Sequence, residues 1–108
     1  MIEDNVTQLG VTKEQLTRII RLIVADSSKV FFTDDSSMQE KDLVINRLQV
    51  FSCLKKGKVI TEPKKTTEGY VECEMYFFCA GQDVHVDVAV RYNDKQNRIL
   101  VVRRISKE

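Results

Sequence analysis

The sequence predicts an α+β domain in which two N-terminal helices pack on one face of an antiparallel sheet of four to five strands. Three observations carry this. Apolar residues recur at helical spacing in the first half, the period changes to two after Lys58, and turn residues separate the alternating runs. The expected order is helix, strand, helix and then strands to the end. It fills one domain over residues 1–108, with residues 1–11 loosely attached.

The first helix is expected over Thr12 to Ala25. Thr12 and Gln15 have capping-box spacing, and Leu16, Ile19, Ile20, Ile23 and Val24 form an apolar stripe. Asp26-Ser27-Ser28 ends it, and Val30-Phe31-Phe32-Thr33 has room for one strand. Ser37 and Glu40 again stand in capping-box register, and Leu43, Arg47, Val50, Phe51 and Leu54 outline a second amphipathic stretch. Met38 to Leu54 reads either as one helix or as two, with Val44-Ile45-Asn46 as the interruption. Gly57, after Lys55 and Lys56, stands where a left-handed C-terminal cap belongs.

Lys58 to Thr61 is a short strand closed by Pro63, and Lys64 to Gly69 is a polar loop. Val71, Cys73, Met75, Phe77 and Cys79 then alternate with Tyr70, Glu72, Glu74, Tyr76 and Phe78. Val84, Val86, Val88 and Val90 alternate with His85, Asp87, Ala89 and Arg91. Such alternation means one buried and one wet face. Between the two runs, a four-residue loop over Ala80 to Asp83 sets Glu72 opposite Arg91, Tyr76 opposite Asp87 and Phe78 opposite His85. A two-residue loop sets Glu74 against Asp87, a pairing of like charges, so the longer loop is preferred. Asn93 to Asn97 is a turn, and Ile99 to Val102 is the last strand.

Composition narrows the function. Hydrophobic residues are 43% and charged residues 31% of the chain, with a net charge of +1, which argues against holding a nucleic acid by bulk electrostatics. The local cluster Lys55-Lys56-Gly57-Lys58 keeps such binding open. Three cysteines without paired spacing, and a polar start without a signal-peptide pattern, point to free thiols in the cytoplasm. Cys73 and Cys79 fall on the valine-bearing face and read as core. No apolar run is long enough for a membrane span. No Cys-x-x-Cys pair, histidine cluster or glycine-rich phosphate loop suggests a metal or cofactor. Glu3, Asp4, Asp34 and Asp35 read as solvated or capping carboxylates.

The wet face collects Tyr70, Glu72, Glu74, Tyr76, His85, Asp87 and Arg91, joined by Arg103 or Arg104 from the last strand. A base, an acid and a phosphate-binding arginine on one face are the groups RNA cleavage requires. The same pattern also fits a solvated sheet balanced by cross-strand ion pairs. His85 is the only histidine, so any imidazole chemistry runs through it.

The element order, with Thr33, Ile45, Val50, Leu54 and Gly57, then Gly69-Tyr70, Gly81 with Val84, and Ile99 to Val102, resembles the RelE/ParE superfamily of small toxins. The nearer resemblance is to its MqsR-like and BrnT-like relatives and to a toxin-like family with a Thr-x-His-Ala, Arg-Met, Arg-x-Ile pattern. It spans roughly Leu16 to Ile105, and the spacing from Thr33 to Val50 agrees without a gap. The signature His and Ala positions hold Asp35 and Ser36, and the two arginine positions hold Gln39 and Leu43. The resemblance implies a metal- and cofactor-independent RNA-cleaving toxin of a toxin–antitoxin pair, with RNA and an antitoxin or other protein as partners. On the predicted wet face and its flanks, Arg91 and Arg104 are assigned to phosphate contact, His85 or Glu72 to the general base, and Tyr92 to stacking or protonation. Lys56, Lys58 and Arg103 then bind RNA. The replaced signature positions equally suit a catalytically inactive relative that binds another protein.

Overall fold

In the computed structural model, residues 10–93 and 97–107 are described. Helix α1 (Lys13–Val24) is followed by a 3-10 turn (Ser27–Lys29), strand β1 (Val30–Phe32), and helices α2 (Asp34–Asp42) and α3 (Arg47–Lys56). Strands β2 (Lys58–Val59), β3 (Lys64–Lys65), β4 (Val71–Cys79), β5 (Gln82–Arg91) and β6 (Ile99–Lys107) complete the chain. The α+β class is as expected, with helices ahead of most strands. The sheet is larger, with six strands in the order β1-β6-β5-β4-β2 and β3 also on β4. It is mixed rather than antiparallel, because β1 runs parallel to β6. That pairing joins Val30 to Leu100, a separation that no local pattern encodes.

The capping box of α1 forms as its spacing predicts: the Thr12 hydroxyl accepts from the Gln15 N–H and the Gln15 side chain accepts from the Thr12 N–H. The second helical stretch is two helices. Thr33, not Ser37, caps α2 by accepting from the Ser36 N–H, which moves the start back to Asp34 and leaves Ser37 inside the helix. The helix stops at Leu43. Val44 takes φ 55°, and its N–H and that of Ile45 return to the carbonyls of Lys41 and Glu40. This is a Schellman ending with valine in the place glycine usually fills. Asn46 and Gln49 then form the capping box of α3.

Gly57 does not form a left-handed cap, since its φ is −77°. Glycine is required there for space: a Cβ would stand 2.5 Å from the carbonyl oxygens of both Cys53 and Tyr76. The expected loop Lys64 to Gly69 also needs correction, because Lys64 and Lys65 pair with Glu72 and Val71. Together β2 and β3 cover one edge of β4.

The β4–β5 register is the one rejected on charge. The connecting loop has two residues, Cys79 pairs with Gln82, and Glu74 faces Asp87, Tyr76 faces His85 and Phe78 faces Asp83. Ala80 at φ 54° and Gly81 at φ 78° supply the left-handed pair that a tight primed turn requires. The last strand extends to Lys107, well past Val102. Its pairing with β5 jumps from Val88–Val102 to Asp87–Arg104, so Arg103 is the extra residue of a β-bulge.

The alternating residues behave as predicted on the apolar face. Val71, Cys73, Met75, Val84, Val86, Val88, Val90, Leu100, Val102 and Ile105 join Leu16, Ile20, Val50 and Leu54 in one continuous buried cluster. Removing a fully buried side chain such as Leu54 or Met75 would cost about 2–5 kcal/mol. The thiols of Cys53, Cys73 and Cys79 are free, and burial pushes those of Cys53 and Cys73 up to about 12, which makes them inert core groups. Val11 packs half-buried against this cluster. Glu3 and Asp4, and Asp94, Lys95 and Gln96 of the expected turn, lie outside the described residues. Among the described residues, no helix is long and apolar enough to cross a membrane.

Candidate functional site

The opposite, polar face of the sheet carries a groove of about 550 Å³. Its walls are the Thr61–Lys64 segment between β2 and β3, the centre of β4 and β5, and the bulge of β6. Thr61 fixes the first wall: its hydroxyl accepts from the Glu74 N–H at 2.8 Å, while the Ile60 N–H donates to the Glu74 carbonyl at 2.9 Å. Lys64 enters because β3 pairs it with Glu72.

The bulge resolves which arginine joins the face, and the answer is both. A regular strand would send Arg103 and Arg104 to opposite sides. The extra residue lets the two lie exposed in succession between buried Val102 and buried Ile105. Both line the groove. The irregular strand is held from outside, where the Thr33 N–H donates to the Val102 carbonyl and the Ile105 N–H donates to the Gln39 side chain at 2.7 Å.

Four carboxylates face these cations. Arg103 donates to Glu72 at 3.2 Å, and Lys13 of α1 reaches Glu62 at 3.5 Å. The Nδ1 of His85 lies 2.6 Å from Glu74 Oε2, and the side chains of the pair are 17% and 30% exposed. The Tyr76 ring packs against the imidazole with centroids 5.0 Å apart, and its hydroxyl donates to Asp83. That bond to Asp83 holds the Tyr76 phenol above its ordinary range. Asp87, two residues from His85 on the same strand face, has its carboxyl pushed up by burial and then by the facing Glu74. Arg104 and His85 oppose the shift.

Not every residue predicted for the site reaches it. Glu72, Arg103 and Arg104 line the groove, with His85 beside it on Glu74. Lys58, paired with Tyr76 in the sheet register, extends the polar face on β2. Arg91 stands at the far end of β5, stacked 4.5 Å over the Tyr70 ring and donating to the Glu68 carbonyl, outside the groove. Tyr92 is not brought to the groove: it packs half-buried against the core beside Val11 and Ile19, on the helix side of the sheet. The structure therefore does not bring Tyr92 together with His85. Lys56 sits at the end of α3, where its carbonyl accepts from Arg21, and also lies outside the groove.

Sequence reasoning placed Glu74 and Asp87 on the wet face but gave them no part in the site. Their roles depend on the hairpin register. Thr61, Glu62 and Lys64 were missed because nothing in their composition announces β3. Among the described residues, no group of three or more His, Cys, Asp or Glu side chains is arranged to hold a metal ion. Comparison of the chain with protein-family models, curated proteins and solved structures returns no match.

Proposed function

We propose that this chain is a toxin-like, metal-independent ribonuclease whose site is the groove on the polar sheet face. The observation that supports this best is an imidazole hydrogen-bonded to a carboxylate, His85 on Glu74, beside a groove edged by Arg103, Arg104 and Lys64. In this reading His85 takes the proton of an RNA 2′-hydroxyl, and that oxygen attacks the adjacent phosphorus. Asp87, in the fraction of molecules where its raised carboxyl carries a proton, gives that proton to the departing 5′-oxygen as the P–O5′ bond breaks. The products are a 2′,3′-cyclic phosphate and a 5′-hydroxyl. Arg104 and Lys64, with Arg103 once it leaves Glu72, offset the charge gathering on the phosphorane. RNA as substrate puts this activity in the cytoplasm.

The test is expression from a tightly repressed promoter, following growth and bulk RNA integrity. Growth arrest with RNA cleavage, both abolished by His85→Ala, is the expected result.

One observation favours a second reading, a non-catalytic protein-binding module on the same toxin-like scaffold. Glu62, Glu72, Glu74 and Asp87 outnumber Lys64, Arg103 and Arg104 along the groove, which disfavours a polyanion. Normal growth and intact RNA from a folded, abundant protein would select that reading.

A further inference from the structure

We infer that Glu74 is a positioning residue that fixes the tautomer of His85, so that Nε2 is the nitrogen left to accept a proton. The inference deepens the ribonuclease reading and rests on it for its catalytic meaning, but the geometry that carries it is independent of any substrate.

An ionised carboxylate only accepts hydrogen bonds, so the 2.6 Å contact requires the proton on His85 Nδ1. In the neutral ring that leaves Nε2 with its lone pair. The pair is mostly shielded from water, which screens the bond less than at an open surface. Three further contacts hold the geometry. Glu74 is clamped through both backbone groups by Thr61 and Ile60, and Tyr76 lies against the imidazole. Asp87 faces Glu74 directly, which makes a proton-bearing partner for Glu74 more valuable than it would be elsewhere on the sheet. The charged and titratable groups around His85 are thus Glu74, Asp87, Tyr76 and Asp83, which holds the Tyr76 hydroxyl, with Lys58 across β4 and Arg104 on β6.

His85 is the only imidazole in the chain, so its side-chain signals need no assignment strategy. The experiment is a long-range proton–nitrogen correlation spectrum of the ¹⁵N-labelled full chain, recorded on wild type, Glu74→Gln and Glu74→Ala, alongside RNA cleavage as a function of pH. Wild type is expected to show the Nδ1–H tautomer. Glu74→Gln keeps an acceptor oxygen and should retain it, whereas Glu74→Ala should shift the ring toward Nε2–H. The backbone region of the same spectra reports whether each variant is folded. Cleavage by Glu74→Ala should fall on the order of 10²-fold in kcat with KM little changed, and Glu74→Asp should recover part of it. An Nε2–H tautomer in wild type, or a tautomer unaffected by Glu74→Ala, overturns the inference whether or not RNA is cut. A Glu74-dependent tautomer in a protein that cuts no RNA leaves the positioning role standing and overturns the ribonuclease reading. A Glu74-dependent tautomer with cleavage unaltered in Glu74→Ala removes the catalytic role.

Discussion

Glu74 and Asp87 stand directly opposite each other across β4 and β5, two carboxylates where a sheet normally gains from opposite charges. The register that opposes them is set by the two-residue turn at Ala80-Gly81. The surroundings spread the cost: Glu74 bonds to His85, and Arg104 pairs with Asp87 in the β5–β6 register. What remains appears as the raised carboxyl of Asp87, caused first by burial and second by Glu74.

That raised carboxyl sets a pH dependence of stability. The folded chain holds the Asp87 proton more tightly than the unfolded chain does. Its contribution to stability is therefore complete below the ordinary carboxylate range and is lost as pH rises through the raised folded value. Asp87→Asn should stabilise the protein at neutral pH by up to about 1 kcal/mol, the scale of a cross-strand like-charge pair. The gain should shrink on acidification, as the raised folded carboxyl takes up its proton. Thermal unfolding of both proteins across pH measures it; a gain that grows on acidification would contradict the assignment.

The arginines separate by position. Arg104→Ala should lower RNA cleavage by roughly 10²-fold, the cost of losing one preorganised charge donor. Arg91→Ala should change it by no more than about two-fold, because Arg91 is stacked on Tyr70 beyond the groove. Initial rates on a short oligonucleotide decide the point, and equal losses from the two variants would move the site toward the far end of β5.

Val44 and Gly57 invert the usual expectations for their residue types. Valine at φ 55° carries steric strain of about 1–2 kcal/mol, while the residue, 77% exposed, gains little from packing. Val44→Gly should therefore raise the urea midpoint, with a gain of about 1 kcal/mol and no change in slope. Gly57→Ala should do the opposite despite an ordinary φ, because its Cβ would overlap two backbone carbonyls that cannot move independently. A loss of about 3 kcal/mol or more is expected.

These positions also show what the sequence does and does not reveal. The Thr12–Gln15 box and the period-two valines are local chemistry, so α1, β4 and β5 were legible. The hairpin register was not. Two- and four-residue loops keep the same side chains on the same faces, so the hydrophobic pattern cannot choose between them. The choice fell to Ala80, whose left-handed conformation is unusual for its type. Everything that turns on the register, above all the Glu74–His85 bond, was hidden with it. The parallel β1–β6 pairing and the short strand at Lys64 depend on distant partners and leave little local signature.

The β6 bulge offers the most selective test of the face. Deleting Arg103 would leave Val102 opposite Val88 and Arg104 opposite Asp87, so Val102 and Ile105 would keep their buried sides and the strand would become regular. Deleting Val101 instead would disturb the inward–outward pattern on one side of the gap, because a one-residue slip reverses every side chain beyond it. The Arg103 deletion should therefore fold cooperatively, losing about 1 kcal/mol or less for the Thr33 hydroxyl bond to the Arg103 carbonyl and the Glu72 ion pair. The Val101 deletion should be far less stable. Urea unfolding of the two deletions beside wild type measures this, and similar losses in both would mean that Arg103 is not the inserted residue. With the bulge gone, Arg104 alone would remain to meet a phosphate, so cleavage should weaken while the fold survives.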